Sequence, residues 1–307
     1  MTLLFSDAEV AAQLDAPTAI GATRAALLAA HAGRLVAPPR GSAPLAGGRL
    51  VTTAGQLTDE WYGFRTYDTF GHPEAEQVVV LHDARSGRVR AIAVGTEIGS
   101  RRTGAIGGVA IDLLARPEAS TLGVIGCGGQ AWAQVWAAAS VRPLREVTVY
   151  CRTRARREAF ADRVRAELGI PARAVDRPET AVRGRDVVVL ATDSPTPVIS
   201  AADLDPGTHV NTVGFKQRGR AEFGLDLLDR ADVLATDSLA QAGAYDPPML
   251  ATDPPYADNL RDLAAVLAGA VPGRAAPGEV SVFCSVGLAG TEVFLLDTLA
   301  REAAVRL

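Results

Sequence analysis

Lysine is almost absent from this chain of 307 residues. Of its 31 basic residues only Lys216 is a lysine, and all the others are arginines. We interpret the excess of arginine as a bias in genomic base composition. Most arginines therefore carry little functional information, whereas the one lysine is a candidate functional residue. A strong net charge is absent too, since the net charge is −4, and this argues against a dedicated nucleic-acid binder.

Cysteines and long apolar runs are also scarce. The three cysteines, Cys127, Cys151 and Cys284, are widely spaced, which argues against a disulfide framework and indicates a reducing cytosol. No cluster of histidines and acids has the spacing of a metal site. No apolar run reaches the ~18 residues of a membrane span, and the N-terminus does not resemble a secretory signal. We therefore expect a cytoplasmic protein without a metal, a membrane segment or a nucleic-acid partner.

The chain has two regions that differ in their predicted secondary structure. The N-terminal third is predicted to contain two helices, a loop rich in proline and glycine over 37–48, and then four strands. From residue 121 onward, apolar strands alternate with helices, which is typical of a parallel sheet. The final helix, which ends at residue 307, is predicted to return to the N-terminal part. The chain is longer than one typical domain, so we expect two.

A glycine loop follows the first strand of the alternating region. Residues 126–131 read Gly-Cys-Gly-Gly-Gln-Ala, a G-x-G-x-x-A pattern that opens a helix. The two leading glycines allow a tight turn and the approach of a pyrophosphate, and the helix N-terminus favours the anion. We therefore predict that a dinucleotide binds at Gly126, Gly128, Gly129, Gln130 and Ala131.

The end of the next strand indicates which dinucleotide is bound. NAD sites usually carry an acid there for the ribose 2′-hydroxyl, whereas this chain reads Arg152-Thr153-Arg154, with no acid before Glu158. An arginine can hold a 2′-phosphate through two hydrogen bonds. We predict NADP(H) in preference to NAD(H). A solvated, arginine-rich helix start is the alternative explanation for these residues.

Four motifs in series resemble the ornithine cyclodeaminase/mu-crystallin family. They are the glycine loop, the helix start Arg102-Thr103-Gly104-Ala105, the run His209-Val210-Asn211-Thr212-Val213-Gly214 and the run Ser285-Val286-Gly287-Leu288-Ala289. The resemblance covers almost the whole chain. It implies binding of NAD(P)(H), action on amino acids, keto acids or their imines, and a homodimer.

The same resemblance implies the division into domains. We predict an α/β fold with a Rossmann-type dinucleotide-binding domain over 117–280. The remaining residues, 1–116 and 281–307, are predicted to form a discontinuous α+β domain for substrate binding and dimerisation. Further cofactor contacts are predicted at Thr192, Ser194, Val213, Gly214, Phe215, Ser285 and Gly287.

The family pattern also implies which residues bind the substrate. Family members meet a substrate carboxylate with an arginine in a P-R sequence, a lysine in a strand and an arginine that opens a helix. The matching positions here are Arg40, Arg65 in place of the lysine, and Arg102. Three arginines suit a small anionic amino or imino acid, and the helix dipole adds to the positive field at Arg102. A structural or surface role is the alternative for each arginine.

Lys216 stands where cyclodeaminases of the family carry an aspartate after N-A-V-G. A lysine would repel the side-chain ammonium of ornithine, so the resemblance points away from ornithine cyclodeamination. We predict Lys216 as a catalytic residue that donates a proton to an imine. Pairing with a second acid group of the substrate, or exposure to solvent, are the alternatives. Glu292, where the family often has an aspartate, is interpreted only as a helix residue near the nicotinamide end.

These patterns predict an NADP(H)-dependent oxidoreductase. It would reduce the C=N bond of a small carboxylated imine or ketimine, or oxidise an amino acid in reverse, in a biosynthetic pathway. One alternative is an amino-acid cyclodeaminase or an alanine-dehydrogenase-like enzyme. Another is an NADP(H)-bound binding or regulatory protein with little catalysis.

Overall fold

The computed structural model describes residues 2–306. The elements of the first third are β1 (Leu3–Phe5), α1 (Asp7–Gln13), α2 (Ala16–His31), β2 (Leu35–Val36), β3 (Gly41–Leu45), β4 (Gly48–Leu57), β5 (Trp61–Asp68), β6 (Gln77–Asp83), β7 (Val89–Gly95) and α3 (Glu97–Leu114). They are followed by β8 (Thr121–Ile125), α4 (Gly129–Val141), β9 (Glu146–Tyr150), α5 (Arg154–Leu168), β10 (Ala172–Ala174), α6 (Pro178–Val182), β11 (Val187–Leu190), β12 (His209–Thr212), β13 (Lys216–Gln217), β14 (Arg220–Ala221), α7 (Leu225–Arg230), β15 (Val233–Thr236), α8 (Leu239–Gly243), β16 (Leu260–Asp262), α9 (Leu263–Leu267), β17 (Ser281–Cys284) and α10 (Thr291–Arg306).

The chain forms two compact units. The first consists of Met1–Arg102 and Gly287–Leu307, and the second of Thr103–Val286, so the first boundary falls within helix α3. The predicted fold, a Rossmann-type part with a discontinuous α+β part, is confirmed. The predicted domain limits at 116/117 and 280/281, and the roles assigned to the two domains, stay predictions.

The first unit contains a seven-stranded sheet. Its order is β1-β7-β6-β5-β4-β2, with β3 paired to β4, and all pairs are antiparallel except β1 with β7. Residues of a strand point alternately to the two faces. In β5 the buried positions Trp61, Gly63 and Arg65 therefore share one face. Helix α10 covers this face, and Phe294 meets Trp61 edge to face at 5.8 Å.

The prediction of a loop over 37–48 is wrong for residues 41–45. Gly41–Leu45 forms β3, which pairs antiparallel with β4 through a tight turn. Pro44 has no backbone N–H and disfavours a central strand, but an edge strand tolerates it. All five residues of β3 are exposed, so the alternation that marks a half-buried strand is missing from the sequence.

The second unit contains an eight-stranded parallel sheet in the order β10-β9-β8-β11-β12-β17-β15-β16. Every residue of the central strands β11 and β12 is buried, as expected when both faces of a parallel sheet are covered. The short antiparallel pair β13-β14 lies outside this sheet. Because neighbouring parallel strands end at one edge, the loops after β8, β9, β11 and β12 meet there. Among residues 2–306, no helix is both long and apolar enough to cross a membrane.

Candidate functional site

The loops at this edge of the parallel sheet line a cavity of 460 Å³. A volume in this range suits a cofactor or a small ligand. Most of the predicted cofactor-binding residues line it, namely Gly126, Gly128, Gly129, Gln130, Arg152, Thr153, Thr192, Ser194, Val213 and Gly214. Sequence reasoning therefore predicted a set of residues that the fold brings together from four separate loops.

The glycine loop has the geometry that an anion requires. Gly126 adopts a φ of 122°, and a Cβ there would lie 2.2 Å from the backbone oxygen of Ala191, so a side chain is excluded. Gly128 caps helix α4 without a side-chain hydrogen bond, and no atom lies within 4 Å of the position a Cβ would take. The helix start therefore has no side-chain cap and lines the cavity, so a pyrophosphate can approach its first N–H groups.

Positive side chains lie at the β9 side of the cavity. Arg152 is exposed and lies 3.8 Å from Asp193, and Arg156 also lines the cavity. Arg154, which was predicted as a contact, instead pairs with Glu158 one turn further along α5 and does not belong to the lining. The residues that line this side, Arg152, Thr153 and Arg156, can surround a phosphate on the ribose. Sequence reasoning missed Arg156.

Lys216 is buried beside the same cavity and is not the solvent-exposed lysine of the alternative interpretation. Only 3% of it is exposed. Its ammonium donates hydrogen bonds to the backbone oxygens of Val213 and Gly214, at 3.2 and 2.5 Å. Both acceptor residues line the cavity. Two of the three N–H groups of the ammonium are therefore used by the chain itself.

Glu222 is a buried acid that sequence reasoning did not identify. Its carboxylate accepts hydrogen bonds from the backbone N–H and the hydroxyl of Thr192, both at 2.8 Å, and from the backbone N–H of Gly214 at 2.6 Å. Burial raises the pKa of the Glu222 carboxyl, and the positive charge of Lys216 opposes that rise. Glu222 thus ties the loop after β11 to the loop after β12. Its only signal in the sequence is its place six residues after the single lysine.

Two predicted substrate-binding arginines meet at one carboxylate in the first unit. Glu292 Oε1 accepts hydrogen bonds from Arg65 Nη1 at 3.0 Å and from Arg102 Nη2 at 2.5 Å. All three side chains are buried. Burial alone raises the pKa of the Glu292 carboxyl, but Arg102 and Arg65 outweigh it and lower the pKa to about 2. Burial, together with the like charge of Arg102, lowers the pKa of Arg65.

Tyr67 brings the third arginine to this cluster. Arg40 Nη1 donates to the Tyr67 hydroxyl at 3.3 Å, and the Arg65 guanidinium lies 4.3 Å from the centre of the Tyr67 ring. Gly287, at a φ of 84°, makes room for the guanidinium groups, because a Cβ there would lie 2.4 Å from Arg102 Nη1. The structure therefore places Arg40, Arg65 and Arg102 together. Gly287, predicted as a cofactor contact, lies among them.

Comparison with known proteins assigns the chain to a family. Residues 1–305 match the Ornithine cyclodeaminase/mu-crystallin family. The chain belongs to this family. The resemblance predicted from four sequence motifs is thereby confirmed.

Individual members of the family differ in their reactions. A Delta(1)-pyrroline-2-carboxylate reductase of Bacillus cereus is 32% identical over 232 residues, which cover 74% of this chain and 70% of the relative. An L-lysine cyclodeaminase of Streptomyces rapamycinicus is 34% identical over 241 residues, covering 78% and 68%. The solved structure of Thermococcus litoralis Delta(1)-pyrroline-2-carboxylate reductase in complex with NADH and L-proline has a TM-score of 0.91. It is 27% identical and covers 99% of this chain and 98% of its own. The predicted enzyme class, an NAD(P)H-dependent imine reductase or amino-acid dehydrogenase, is confirmed at this level.

Several predicted cofactor contacts lie away from the cavity. Ala131 is buried in α4, Phe215 stacks on Arg220 at 3.5 Å, and Ser285 is buried at the end of β17. Their roles, like those of the lining residues, stay predictions. His209 was predicted to be a satisfied core histidine and is one: it is fully buried, 2.8 Å from Ser281 Oγ and 2.7 Å from Asn211 Oδ1.

Proposed function

We propose that this member of the family is an NADP(H)-dependent reductase of the C=N bond of a small carboxylated imine or ketimine, or catalyses the reverse oxidation of an amino acid. The observation that carries the proposal is the cavity at the edge of the parallel sheet, with its glycine loop at a helix N-terminus. The buried arginine cluster supports a substrate that carries a carboxylate. As in the resemblance, we expect a homodimer.

The cavity supports a dinucleotide with a 2′-phosphate. Gly126 permits the tight turn, and Gly128 and the first turn of α4 can hold the pyrophosphate, because Gly128, Gly129 and Gln130 line the cavity. Arg152 and Arg156 can hold the 2′-phosphate, and no acid stands at the end of β9 to accept a bond from a 2′-hydroxyl. A bound nicotinamide supplies the hydride that such a reduction consumes.

The arginine cluster supports binding of a substrate carboxylate. Arg65 and Arg102 are buried, positive and fixed by Glu292, so they require no large reorganisation when an anion arrives. Arg102 Nε is buried and has no hydrogen-bond partner within residues 2–306. A buried donor without a partner is costly, and a carboxylate oxygen would satisfy it.

The buried ammonium of Lys216 is the proposed source of a proton. Reduction of a neutral imine adds a hydride to carbon and a proton to nitrogen. We assign the proton to Lys216 Nζ, or to a water molecule that it orients, since one N–H of the ammonium is left after its two bonds to Val213 and Gly214. The positive charge of Lys216 attracts the buried Glu222 carboxylate and opposes the rise in its pKa.

A direct assay tests the proposal. Purified protein with NADPH should oxidise the dinucleotide, followed by absorbance, when given cyclic or acyclic 2-imino acids, and NADPH should raise the melting temperature. The Gly126→Val variant should lose the thermal protection, because its side chain would collide with the Ala191 backbone. Absence of both turnover and protection in the unaltered protein would contradict the proposal.

An amino-acid cyclodeaminase is the second candidate, and the 34% identity to the L-lysine cyclodeaminase favours it. Release of ammonia without a net change in the dinucleotide would identify that reaction. A dinucleotide-bound binding or regulatory protein would retain NADPH without turnover of any imino acid. NADPH oxidation with imino acids, ammonia release from a diamino acid and retention of NADPH without turnover are three different readouts, and together they separate the three candidates.

A further inference from the structure

Glu292 occupies the hydrogen-bonding positions of two buried arginines. Its Oε1 atom accepts from both Arg65 and Arg102, at 3.0 and 2.5 Å. The hydroxyls of Thr53 and Thr291 lie 3.5 Å from Oε1 and Oε2. None of the Glu292 side chain is exposed, so the contacts are made without competition from water.

The charges of this buried group leave room for one more anion. Arg65, Arg102 and Glu292 are buried and together carry a single positive charge, whereas Arg40, the third arginine of the cluster, is only partly buried, so water screens its charge. One carboxylate of a ligand neutralises that charge, whereas a second would stand beside the Glu292 carboxylate in a place shielded from solvent. Like charges brought together in a buried site destabilise each other strongly.

The N–H groups that Arg65 and Arg102 do not use within the chain are also consistent with a ligand that has one carboxylate. Arg65 directs Nε to Gln77 Oε1 at 2.8 Å and Nη1 to Glu292, so two directions of its guanidinium are taken. Arg102 directs Nη2 to Glu292 and keeps the buried Nε for a ligand. On the side of the pair that Glu292 fills, one carboxylate oxygen already accepts a charge-assisted hydrogen bond from each arginine.

We propose that Glu292 determines specificity: its carboxylate takes the place that a second substrate carboxylate would occupy, and so restricts the site to substrates with one carboxylate. The inference rests on the proposed function, because it assumes that the arginine cluster binds the substrate. Glu292 acts through Arg65 and Arg102 and is a positioning residue. The substrate class is thus a 2-imino acid whose side chain carries no second acid.

Two 2-oxo acids of equal length test the restriction. 2-Oxopentanoate and 2-oxoglutarate differ only in a methyl group against a carboxylate at the far end, and they resemble the carbonyl form of an imino acid. Calorimetry in the presence of NADP+, which allows no reduction, measures the two dissociation constants. The unaltered protein should bind 2-oxopentanoate at least about tenfold more tightly than 2-oxoglutarate. The Glu292→Gln variant should shift this ratio by about tenfold or more toward 2-oxoglutarate. The reason is that the second carboxylate of 2-oxoglutarate then supplies the negative charge that residue 292 has lost.

Two further variants separate specificity from a loss of structure. Glu292→Asp keeps the negative charge and should restore the preference for 2-oxopentanoate. Asp297 is a matched control: it is a buried acid on the same helix, paired with Arg90 at 2.8 Å. Asp297→Asn should lower the melting temperature without changing the ratio of the two dissociation constants.

The outcomes distinguish this inference from the proposed function. Equal binding of the two acids by the unaltered protein, or a preference for 2-oxoglutarate, would overturn the role of Glu292 and leave the reductase intact. This comparison does not depend on whether Glu292→Gln folds. Binding of neither acid, with NADP+ bound, would overturn the assignment of the arginine cluster as the substrate site and the role of Glu292 with it.

Discussion

Lys216 Nζ donates a hydrogen bond to the backbone oxygen of Val213 across 3.2 Å. The contact joins the single lysine to a residue that lines the proposed dinucleotide cavity. Because Lys216 is buried, replacing it can affect either proton transfer or the shape of the cavity. The two effects differ in what they change, since the first lowers kcat and the second weakens dinucleotide binding.

The first prediction concerns Lys216 as the proton donor. In Lys216→Ala, kcat for imine reduction should fall by a factor of about 10²–10⁴, the usual contribution of a general acid. The dissociation constant of NADPH should stay within about threefold, well under 1.4 kcal/mol. Stopped-flow kinetics and fluorescence titration measure these quantities. Full activity in both Lys216→Ala and Lys216→Asp would leave the mechanism without its proton donor.

The second prediction concerns the choice of dinucleotide. In Arg152→Ala with Arg156→Ala, the affinity for NADPH should fall by about tenfold or more, because each arginine can form charge-assisted bonds to a 2′-phosphate. The affinity for NADH, which lacks that phosphate, should change little. Arg163, which pairs with Glu167 on the same helix α5, provides the control variant Arg163→Ala. A parallel loss for NADPH and NADH would show that the arginines do not read the 2′-phosphate.

Local patterns in the sequence identified those parts of the site that consist of residues close together in the chain. The glycine loop is one example, because a tight turn, a backbone exposed to an anion and a helix start are all encoded within 126–131. Arg154 is predicted as a cofactor contact and Arg156 is not, whereas the structure places Arg156 and not Arg154 in the lining of the cavity; both roles stay predictions. Residues two positions apart on a helix do not face the same direction, and the start of α5 decided which of them meets the cavity.

Contacts between distant residues could not be read from the sequence. Glu292 contacts Arg65 across 227 positions, and nothing local to either residue indicates the other. Glu222 reaches Thr192 across 30 positions because β11 and β12 are neighbours in the sheet. Both acids are visible in the sequence, but that they are buried becomes known only once the fold is known.

The third prediction uses two cysteines as reporters of the cavity. Cys127 and Cys151 line it, whereas Cys284 is fully buried in β17. Bound NADPH should slow the alkylation of Cys127 and Cys151 by covering them, and Cys284 should react only after unfolding. Burial raises the pKa of the Cys127 thiol, so labelling is best followed at alkaline pH, where more thiolate is present. Peptide mass spectrometry measures each site, and unchanged labelling with NADPH bound would place the dinucleotide elsewhere.

The fourth prediction concerns stability and pH. Burial lowers the pKa of His209 to about 3, so the folded protein keeps this histidine neutral where the unfolded chain, with a pKa of about 6.5, takes up a proton. The unfolding free energy should therefore fall as the pH is lowered from 6.5 to 5.0, by about 2 kcal/mol. Loss of the Glu292 ion pairs does not contribute in this window, because the two arginines lower the pKa of Glu292 to about 2. Urea unfolding at several pH values measures the slope. His209→Gln, which does not titrate, should remove most of it, and an equal slope in that variant would assign the effect to another group.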